Sequence, residues 1–353
     1  MARRTAAALL LLVLASGCTG DPGSEDPSAA ESTGSPSTSS PSAPTATPNP
    51  TQDSSPAADP VSVPGVAAQT HVGDRLRLGD VRERTAAFTS YDVTWRVRSS
   101  GPGADTRPLQ LSGVLNVPSG DGPFPAVVLA HGYIDPAVYE SGQGMTRERG
   151  FLAERGFVAL HVDYRGHAGS GADPSDGTDL RLGYAVDVIA AIDALRRSEV
   201  AVDDDRIAVF GRSMGGGVVQ KVAQIAPDAA HAVVAWASVS SLEAENFNHF
   251  IRGDGDARAT AIRERRGLPE QAPEFWRAAS SRPYLDRITV PVLAVHGRFD
   301  DTCPPRWARA TQRAMQRAGV DSDLVWYDDG HAFGPAFVEA MERTVRFLEQ
   351  SAP

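Results

Sequence analysis

The sequence predicts an α/β fold over residues 65–353, in which a mostly parallel central sheet is flanked by helices. Short, continuous, β-branched runs such as "PAVVLAHG" and "RIAVFGRS" have the pattern of strands buried on both faces of a parallel sheet. Between them lie segments with apolar residues at helical spacing, such as "LRLGYAVDVIAAIDALRRS". Alternation of these two kinds of segment is typical of α/β domains.

The first 18 residues are interpreted as an export signal. Arg3 and Arg4 precede an apolar run too short to span a bilayer, and the ending "LASGC" resembles the lipobox of bacterial lipoproteins. We therefore expect cleavage before Cys18, a lipid on Cys18, and a chain anchored on the outer face of the cell membrane. Ordinary secretion is the alternative. Residues 19–64 are rich in Ser, Pro and Thr and predict a disordered tether, because they cannot bury enough apolar surface to fold.

The folded part opens with "YDVTWRVRS" and "LQLSGVLNVP", which predict an antiparallel pair of strands. The predicted buried strands that follow are "PAVVLAHG", "GFVALHVDYRG", "RIAVFGRS", "HAVVAWASV", "VPVLAVHG" and "SDLVWYDDGH". The region from Leu242 to Asp286 shows no strand pattern and is interpreted as a helical insertion. The net charge of −10 and the absence of a basic cluster argue against a nucleic-acid partner, which would need a positive face.

One motif predicts nucleophilic chemistry. Gly211, Ser213 and Gly215 form a G-x-S-x-G pattern between the strand "RIAVF" and the helical segment "GGGVVQKVAQIA". In this strand–turn–helix context the pattern is a nucleophile elbow, whose tight turn needs small neighbours and whose helix directs its positive end at the reaction. A purely structural glycine turn is the competing interpretation.

A serine nucleophile needs a base, and on this fold the order is serine, acid, histidine. The segment "VHGRFDDTCPP" offers Asp300 and Asp301 as the acid. His331 follows the final predicted strand in a loop and is therefore the expected base. The amides of Met214, directly after the serine, and of Tyr133, in the loop after "VVLAHG", are the expected oxyanion donors.

From about Leu109 onward the chain resembles the catalytic domain of the prolyl oligopeptidase family, an α/β-hydrolase. The resemblance rests on "GVLNVPSGDGPFPAVVLAHG", "VDYRGHAGSG", "VDDDRIAVFGRSMGG", "ITVPVLAVHGRFDDTCPP" and "YDDGHAF". It implies a triad of Ser213, Asp300 and His331, since the family's acid motif selects Asp300 over Asp301. It also implies that the Tyr133 hydroxyl can serve the oxyanion. The roughly 45 residues between the tether and Leu109 are too few for the β-propeller of full-length members.

The predicted function is therefore an exported serine hydrolase that cleaves an ester or a peptide bond of a small substrate. A carboxylesterase or dienelactone-hydrolase-like enzyme is the alternative, and a catalytically dead surface binding lipoprotein is a further one. No metal or organic cofactor is implied. Residues Phe247, Phe250 and Trp276 are expected either to wall the acyl pocket or to pack in the core. Cys303 is interpreted as a packed thiol.

Overall fold

The structure, a computed structural model, describes residues 58–175, 177–253 and 257–353. The predicted export signal, Cys18 and most of the predicted tether lie outside these residues. The first helix, α1 (Val63–Ala67), crosses the boundary predicted at residue 65, and Val63 is fully buried. The packed part of the chain therefore reaches further upstream than predicted, because a few apolar side chains at the end of the Ser/Pro-rich stretch bury surface on the domain.

The described residues contain one ten-stranded sheet. Its strands are β1 (Thr70–Gly73), β2 (Arg77–Arg84), β3 (Phe88–Ser100), β4 (Leu109–Pro118), β5 (Phe124–Ala130), β6 (Val158–Asp163), β7 (Val202–Arg212), β8 (Val233–Trp236), β9 (Val292–Gly297) and β10 (Ser322–Tyr327). The order is β1-β3-β4-β6-β5-β7-β8-β9-β10, with β2 paired to β3. Strands β6 to β10 and β5 are mutually parallel, and β3–β4 and β4–β6 are antiparallel. The predicted mostly parallel sheet is confirmed.

Two strands at the antiparallel end of the sheet, β1 and β2, were not predicted. All eight residues of β2 are exposed, and its sequence RLGDVRER has no alternation of apolar and polar residues. The strand is held by backbone pairing with β3, through a register broken by irregularities. Periodicity reports burial, so it cannot detect a strand that has no buried face.

Helices cover both faces of the sheet. Helices α3 (Leu182–Arg196), α4 (Met214–Ile225) and α8 (Pro305–Arg317) contribute to the apolar core on one face. Helices α2 (Thr146–Ala153) and α9 (Phe337–Gln350) contribute to the core on the other. Between them, β6 and β8 are buried at every position. No helix of the described residues has the length and apolarity needed to cross a membrane.

The predicted insertion is helical. It contains α5 (Glu243–Phe250), α6 (Ala257–Arg266), α7 (Pro273–Ala279) and a 3-10 helix (Arg282–Arg287). Its apolar side chains pack in a cluster separate from the sheet cores, and we call this cluster the insertion core. Its members are Leu180, Phe247, Ile251, Ile262, Trp276 and Ala279.

Candidate active site

The strand–turn–helix motif places Ser213 at a sharp turn between β7 and α4. Its backbone has φ 58° and ψ −120°, a region that residues with a Cβ rarely adopt. The turn is held from both sides, because the Ser213 amide donates to the Trp236 carbonyl at 2.9 Å and its carbonyl accepts from Gly216 N at 3.0 Å. Strain that is fixed in this way is typical of functional turns.

The glycines around Ser213 are required by close backbone approach. A Cβ added to Gly215 would lie 1.8 Å from the Ala130 carbonyl oxygen, and one added to Gly211 would lie 2.0 Å from the Gly215 carbonyl oxygen. Neither contact can relax, since both partners are backbone atoms. The small residues thus allow α4 to start directly against the end of β5.

The end of β9 and the loop after β10 bring an acid and a base together. His331 Nδ1 lies 2.9 Å from Asp300 Oδ2 and 3.0 Å from Oδ1. Asp300 Oδ1 also accepts from the amides of Thr302 (3.0 Å) and Cys303 (2.7 Å). Burial alone would raise the pKa of Asp300, but the hydrogen bonds from His331 and Cys303 outweigh it and leave that pKa below its ordinary value. The carboxylate is therefore ionised at neutral pH.

His296 is a further contact of this carboxylate. Its Nε2 lies 2.9 Å from the Cys303 carbonyl oxygen and 3.4 Å from Asp300 Oδ2. Both partners accept hydrogen bonds, so Nε2 must carry a proton. Burial lowers the pKa of His296, which keeps the ring neutral near pH 7. His296 thus supports the acid from the end of β9.

The alternative acid, Asp301, is exposed, and its carboxylate accepts from the Thr302 hydroxyl at 3.2 Å. Cys303 is fully buried beside Val239 and Trp307, and burial raises the pKa of its thiol to about 12. A thiol with this pKa is not a nucleophile at neutral pH.

The loop after β5 packs against Ser213. A Cβ on Gly132 would lie 3.2 Å from the Ser213 Cβ, so the backbone of this loop approaches the serine closely. The next residue, Tyr133, has a half-exposed side chain whose ring lies 4.8 Å from the Arg258 guanidinium. Both predicted oxyanion residues, Tyr133 and Met214, border the same cavity as Ser213.

Asp163 fixes the continuation of this loop. Its buried carboxylate accepts from the hydroxyls of Tyr139 (2.6 Å), Ser141 (2.6 Å) and Ser112 (2.7 Å) and from Gly142 N (3.0 Å). A fully hydrogen-bonded buried carboxylate of this kind holds the loop in one conformation.

Ser213 and His331 face a common cavity of ≈ 340 Å³. It is bordered by the loop after β5, by the start of α4 and by the insertion, from which Phe250 and Ile251 contribute. Phe250 therefore lines the cavity beside Ser213, and Trp276 packs in the insertion core and does not border that cavity. Phe247 packs in the insertion core and also lines a neighbouring cavity of ≈ 540 Å³.

Sequence reasoning missed two arginines of this cavity, Arg212 and Arg181. Arg212 Nη1 lies 3.1 Å from the buried Glu148 of α2. The neighbouring Arg147 donates to the carbonyls of Ala332 (2.9 Å) and Phe333 (3.2 Å), directly after His331. Helix α2 thus contacts both the nucleophile turn and the histidine loop. In the sequence, the alternating basic and acidic residues of "TRERG" have the pattern of a solvent-exposed helix face, so these contacts could not be predicted from it.

No group of three or more His, Cys, Asp or Glu side chains within residues 58–175, 177–253 and 257–353 is arranged to hold a metal ion. Asp173, at the start of the run "DPSDGTD", accepts from the backbone and hydroxyl of Ser175 (2.9 and 2.8 Å). Asp176 lies outside the described residues.

Comparison with known proteins places this chain in a family. The model of the prolyl oligopeptidase family matches residues 144–352. Dipeptidyl aminopeptidase BIII of Pseudoxanthomonas mexicana is 28% identical over 227 residues, which are 60% of this chain and 31% of that protein. The uncharacterized peptidase YtmA of Bacillus subtilis is 27% identical over 69% of this chain and 88% of its own length.

A solved structure shares the fold. The acetyl xylan esterase from Paenibacillus sp. R4 superposes with a TM-score of 0.59 at 21% identity, over 82% of this chain and 92% of the esterase. The predicted enzyme class, a serine hydrolase that is either a peptidase or an esterase, agrees with the family and with these neighbours. Since the family model matches more than half of the chain, this protein belongs to the prolyl oligopeptidase family.

Proposed function

We propose that this protein hydrolyses an ester or a peptide bond through an acyl-enzyme intermediate, with Ser213 as nucleophile, His331 as base and Asp300 as the acid that orients it. The observation that carries the proposal is the Asp300 carboxylate on His331 Nδ1, beside a cavity that His331 and Ser213 both border. Family membership supports the same chemistry.

The tautomer of His331 follows from its contact with the Asp300 carboxylate. An ionised carboxylate accepts, so Nδ1 carries the proton and Nε2 is left as the base. In the proposed first step, the Ser213 oxygen forms a bond to the substrate carbonyl carbon while its proton passes to Nε2. The leaving alcohol or amine then departs with that proton, and water, deprotonated by the same nitrogen, releases the acyl group.

The negative charge that develops on the carbonyl oxygen needs donors. The Met214 amide stands in the first turn of α4, where amides lack helical partners and the helix presents its positive end. The Tyr133 amide or hydroxyl is the second proposed donor. Loss of one such donor typically costs about 2.7–4 kcal/mol of transition-state stabilisation.

Ser213 is tested with a fluorophosphonate probe together with matched panels of short acyl esters and aminoacyl amides. The wild type should be labelled, Ser213→Ala should not, and the same change should lower turnover by roughly 10⁴–10⁶-fold. Ser238→Ala, which removes a hydroxyl from the loop after β8, is the control and should be labelled normally. Labelling of Ser213→Ala would refute the nucleophile, and an unlabelled, inactive wild type would favour a binding lipoprotein.

Export and anchoring are proposed from the sequence of the first 18 residues. The chain should be recovered in the membrane fraction and should incorporate radiolabelled palmitate in a bacterial host, and Cys18→Ser should abolish the incorporation. Release of the wild-type protein into the medium without label would indicate ordinary secretion instead.

A further inference from the structure

Two consecutive residues, Leu180 and Arg181, adopt left-handed backbone conformations just before α3. Their φ angles are 52° and 66°, although neither residue is a glycine. This conformation is unfavourable for a residue with a Cβ, so the surrounding contacts must hold the turn in place. We call residues 179–183 the arginine turn.

Several contacts hold the arginine turn. The Asp179 carboxylate accepts from the amides of Arg181 (3.0 Å) and Gly183 (2.7 Å). The Leu180 side chain is buried in the insertion core, and its carbonyl accepts from Lys221 Nζ at 2.7 Å. The strained backbone is therefore fixed from α4, from the insertion and from its own carboxylate.

The arginine turn places the Arg181 side chain at the border of two cavities. Arg181 lines the active-site cavity together with Ser213, and it also lines the neighbouring cavity of ≈ 540 Å³. Its closest carboxylate is Glu243, where Nη1 lies 3.4 Å from Oε2. Glu243 Oε1 is already bonded to Lys221 Nζ at 2.6 Å. Glu243 thus contacts two cations, and its contact with Arg181 is the longer of the two.

Arg212, which also lines the cavity, shares its carboxylate with another arginine in the same way. Glu148 lies 3.1 Å from Arg212 and 3.8 Å from Arg147, so again two cations share one carboxylate. Arg181 and Arg212 line the active-site cavity, and its described lining residues include no Asp or Glu. The start of α4 adds its positive end beside Ser213.

Carboxylates do border the neighbouring cavity. They are Asp135, Asp173, Asp179 and Glu243. Asp179 and Asp173 accept from amides of their own loops, Asp135 accepts from Ala137 N, and Glu243 is bonded to Lys221. These carboxylates keep their charge, but they line the neighbouring cavity, whereas the described lining of the cavity beside Ser213 contains arginine side chains and no carboxylate.

We propose that Arg181 binds an anionic group of the substrate, so that this enzyme prefers esters or amides that carry a carboxylate close to the scissile bond. This inference rests on the proposed function of Ser213. A guanidinium presents planar paired donors that match a carboxylate, and in a partly buried cavity such a pair is stronger than at the surface. A cationic substrate, such as one with a free amine near the scissile bond, is disfavoured by the same charge.

The test compares esters of equal length. On the acyl side, the 4-nitrophenyl monoester of glutaric acid is compared with 4-nitrophenyl pentanoate. On the leaving side, 4-acetoxybenzoate is compared with methyl 4-acetoxybenzoate. Hydrolysis by Ser213→Ala is subtracted to remove the reaction of the substrate's own carboxylate. We expect kcat/KM for the anionic member to be higher by about 10- to 100-fold in at least one pair.

Arg181→Gln should reduce that anionic-to-neutral ratio by about tenfold or more. The matched control is Arg197→Gln, which removes an exposed arginine directly after α3 that pairs with Asp193 at 3.0 Å. It changes the net charge equally and should leave the ratio unchanged. Equal kcat/KM within both pairs, or a ratio that survives Arg181→Gln, would overturn the inference.

A binding measurement separates this inference from the proposed function. Saturation-transfer NMR on Ser213→Ala should show monomethyl glutarate bound, and Arg181→Gln in that background should remove the signal. Binding of this anion in a wild type that cleaves no ester would retain the anionic site and reject the hydrolase. Equal signals from monomethyl glutarate and the neutral dimethyl ester would reject the anionic site.

Discussion

At the scale of single residues, the candidate site depends on which carboxylate meets His331. Asp300 and Asp301 are adjacent in the sequence, yet one is buried against the imidazole and the other is exposed. The distinction comes from the turn after β9, where the amides of Thr302 and Cys303 point at Asp300. A backbone turn thus selects the acid.

Asp300→Asn should lower kcat by about 10⁴-fold while the fold is retained, because an amide can impose the wrong tautomer on His331. Asp301→Asn is the matched control and should stay within a few-fold of wild type, since its exposed carboxylate does not contact His331. The measurement is kcat on a short activated ester, with circular dichroism as the check on folding. A larger loss in Asp301→Asn would reverse the assignment.

His296 should act as a positioning residue for Asp300. His296→Leu removes the Nε2 hydrogen bond to the Cys303 carbonyl and the 3.4 Å contact with the Asp300 carboxylate. It should lower kcat by about tenfold with little change in KM, because Asp300 is then held less firmly against His331. His296→Gln places an amide donor near the same position and should restore most of kcat. Equal losses in both variants would mean that the imidazole acts through packing alone.

Much of the site's residue chemistry could be predicted from the sequence. A tight strand-to-helix turn restricts its neighbours to glycine, and an acid and a histidine must follow later strands, so Ser213, His331 and the choice between Asp300 and Asp301 could be named. The resemblance to the prolyl oligopeptidase family then selected Asp300. Their catalytic roles stay predictions until tested. Arg181 could not be named, because its place at the cavity depends on a strained turn and on Lys221, and these leave no local pattern.

At the scale of elements, the junction between β7 and α4 determines how closely the helix approaches the sheet. Gly215 faces the Ala130 carbonyl oxygen and Gly216 faces the Ser238 side chain, at hypothetical Cβ distances of 1.8 and 2.7 Å. Helix α4 cannot shift without moving Ser213. The glycines therefore act on the nucleophile through helix position as well as through turn conformation.

Gly215→Ala should destabilise the fold and remove activity, because its methyl group would overlap backbone atoms. Gly150→Ala in α2 is the control, since a Cβ there meets nothing within 4 Å. That change should raise the free energy of unfolding by about 0.5–1 kcal/mol, the usual gain from alanine in a helix. Urea unfolding and ester turnover check both variants, and an active, stable Gly215→Ala would contradict the close-approach argument.

The elements themselves were predictable in proportion to their burial. Strands buried on both faces, such as β6, appear as continuous apolar runs, and the parallel core was predicted from them. The exposed β2 was not, because only its backbone pairing with β3 makes it a strand. The insertion was predicted to be helical, but its separate apolar core could be seen only once α5, α6 and α7 were placed in space.

At the scale of the whole molecule, several histidine side chains are buried in their neutral form. His131 and His161 are fully buried and stack with ring centroids 5.3 Å apart. Burial lowers the pKa of both, to about 3 for His161, where the Arg149 charge acts in the same direction. These rings lie behind the loop that packs against Ser213, next to the buried Asp163.

Stability should therefore fall in mild acid. A histidine with a depressed pKa stays neutral in the fold, whereas the unfolded chain takes up a proton below about pH 6.5, so its contribution is present above that pH and declines below it. His131 and His161 together should lower the free energy of unfolding by roughly 2–3 kcal/mol between pH 6 and pH 5. Urea unfolding at each pH measures this.

His161→Leu should reduce that loss of stability by roughly 1 kcal/mol, the share of one buried histidine. The other histidines whose pKa is lowered by burial, among them His296, keep their contributions. An exposed histidine pair would show no such effect, because folded and unfolded states would titrate alike. Unfolding free energies that are equal at pH 6 and pH 5 in the wild type would contradict the prediction.

The buried ion pair beneath the arginine turn has a practical consequence for chemical labelling. Lys221 is the single lysine of the sequence, and its amine is 2% exposed and bonded to Glu243 and to the Leu180 carbonyl. Amine-reactive reagents should therefore leave the folded domain untouched and acylate this side chain only when α4 and the insertion separate. The rate of adduct formation at one position, read by mass spectrometry, would then report how often that opening occurs.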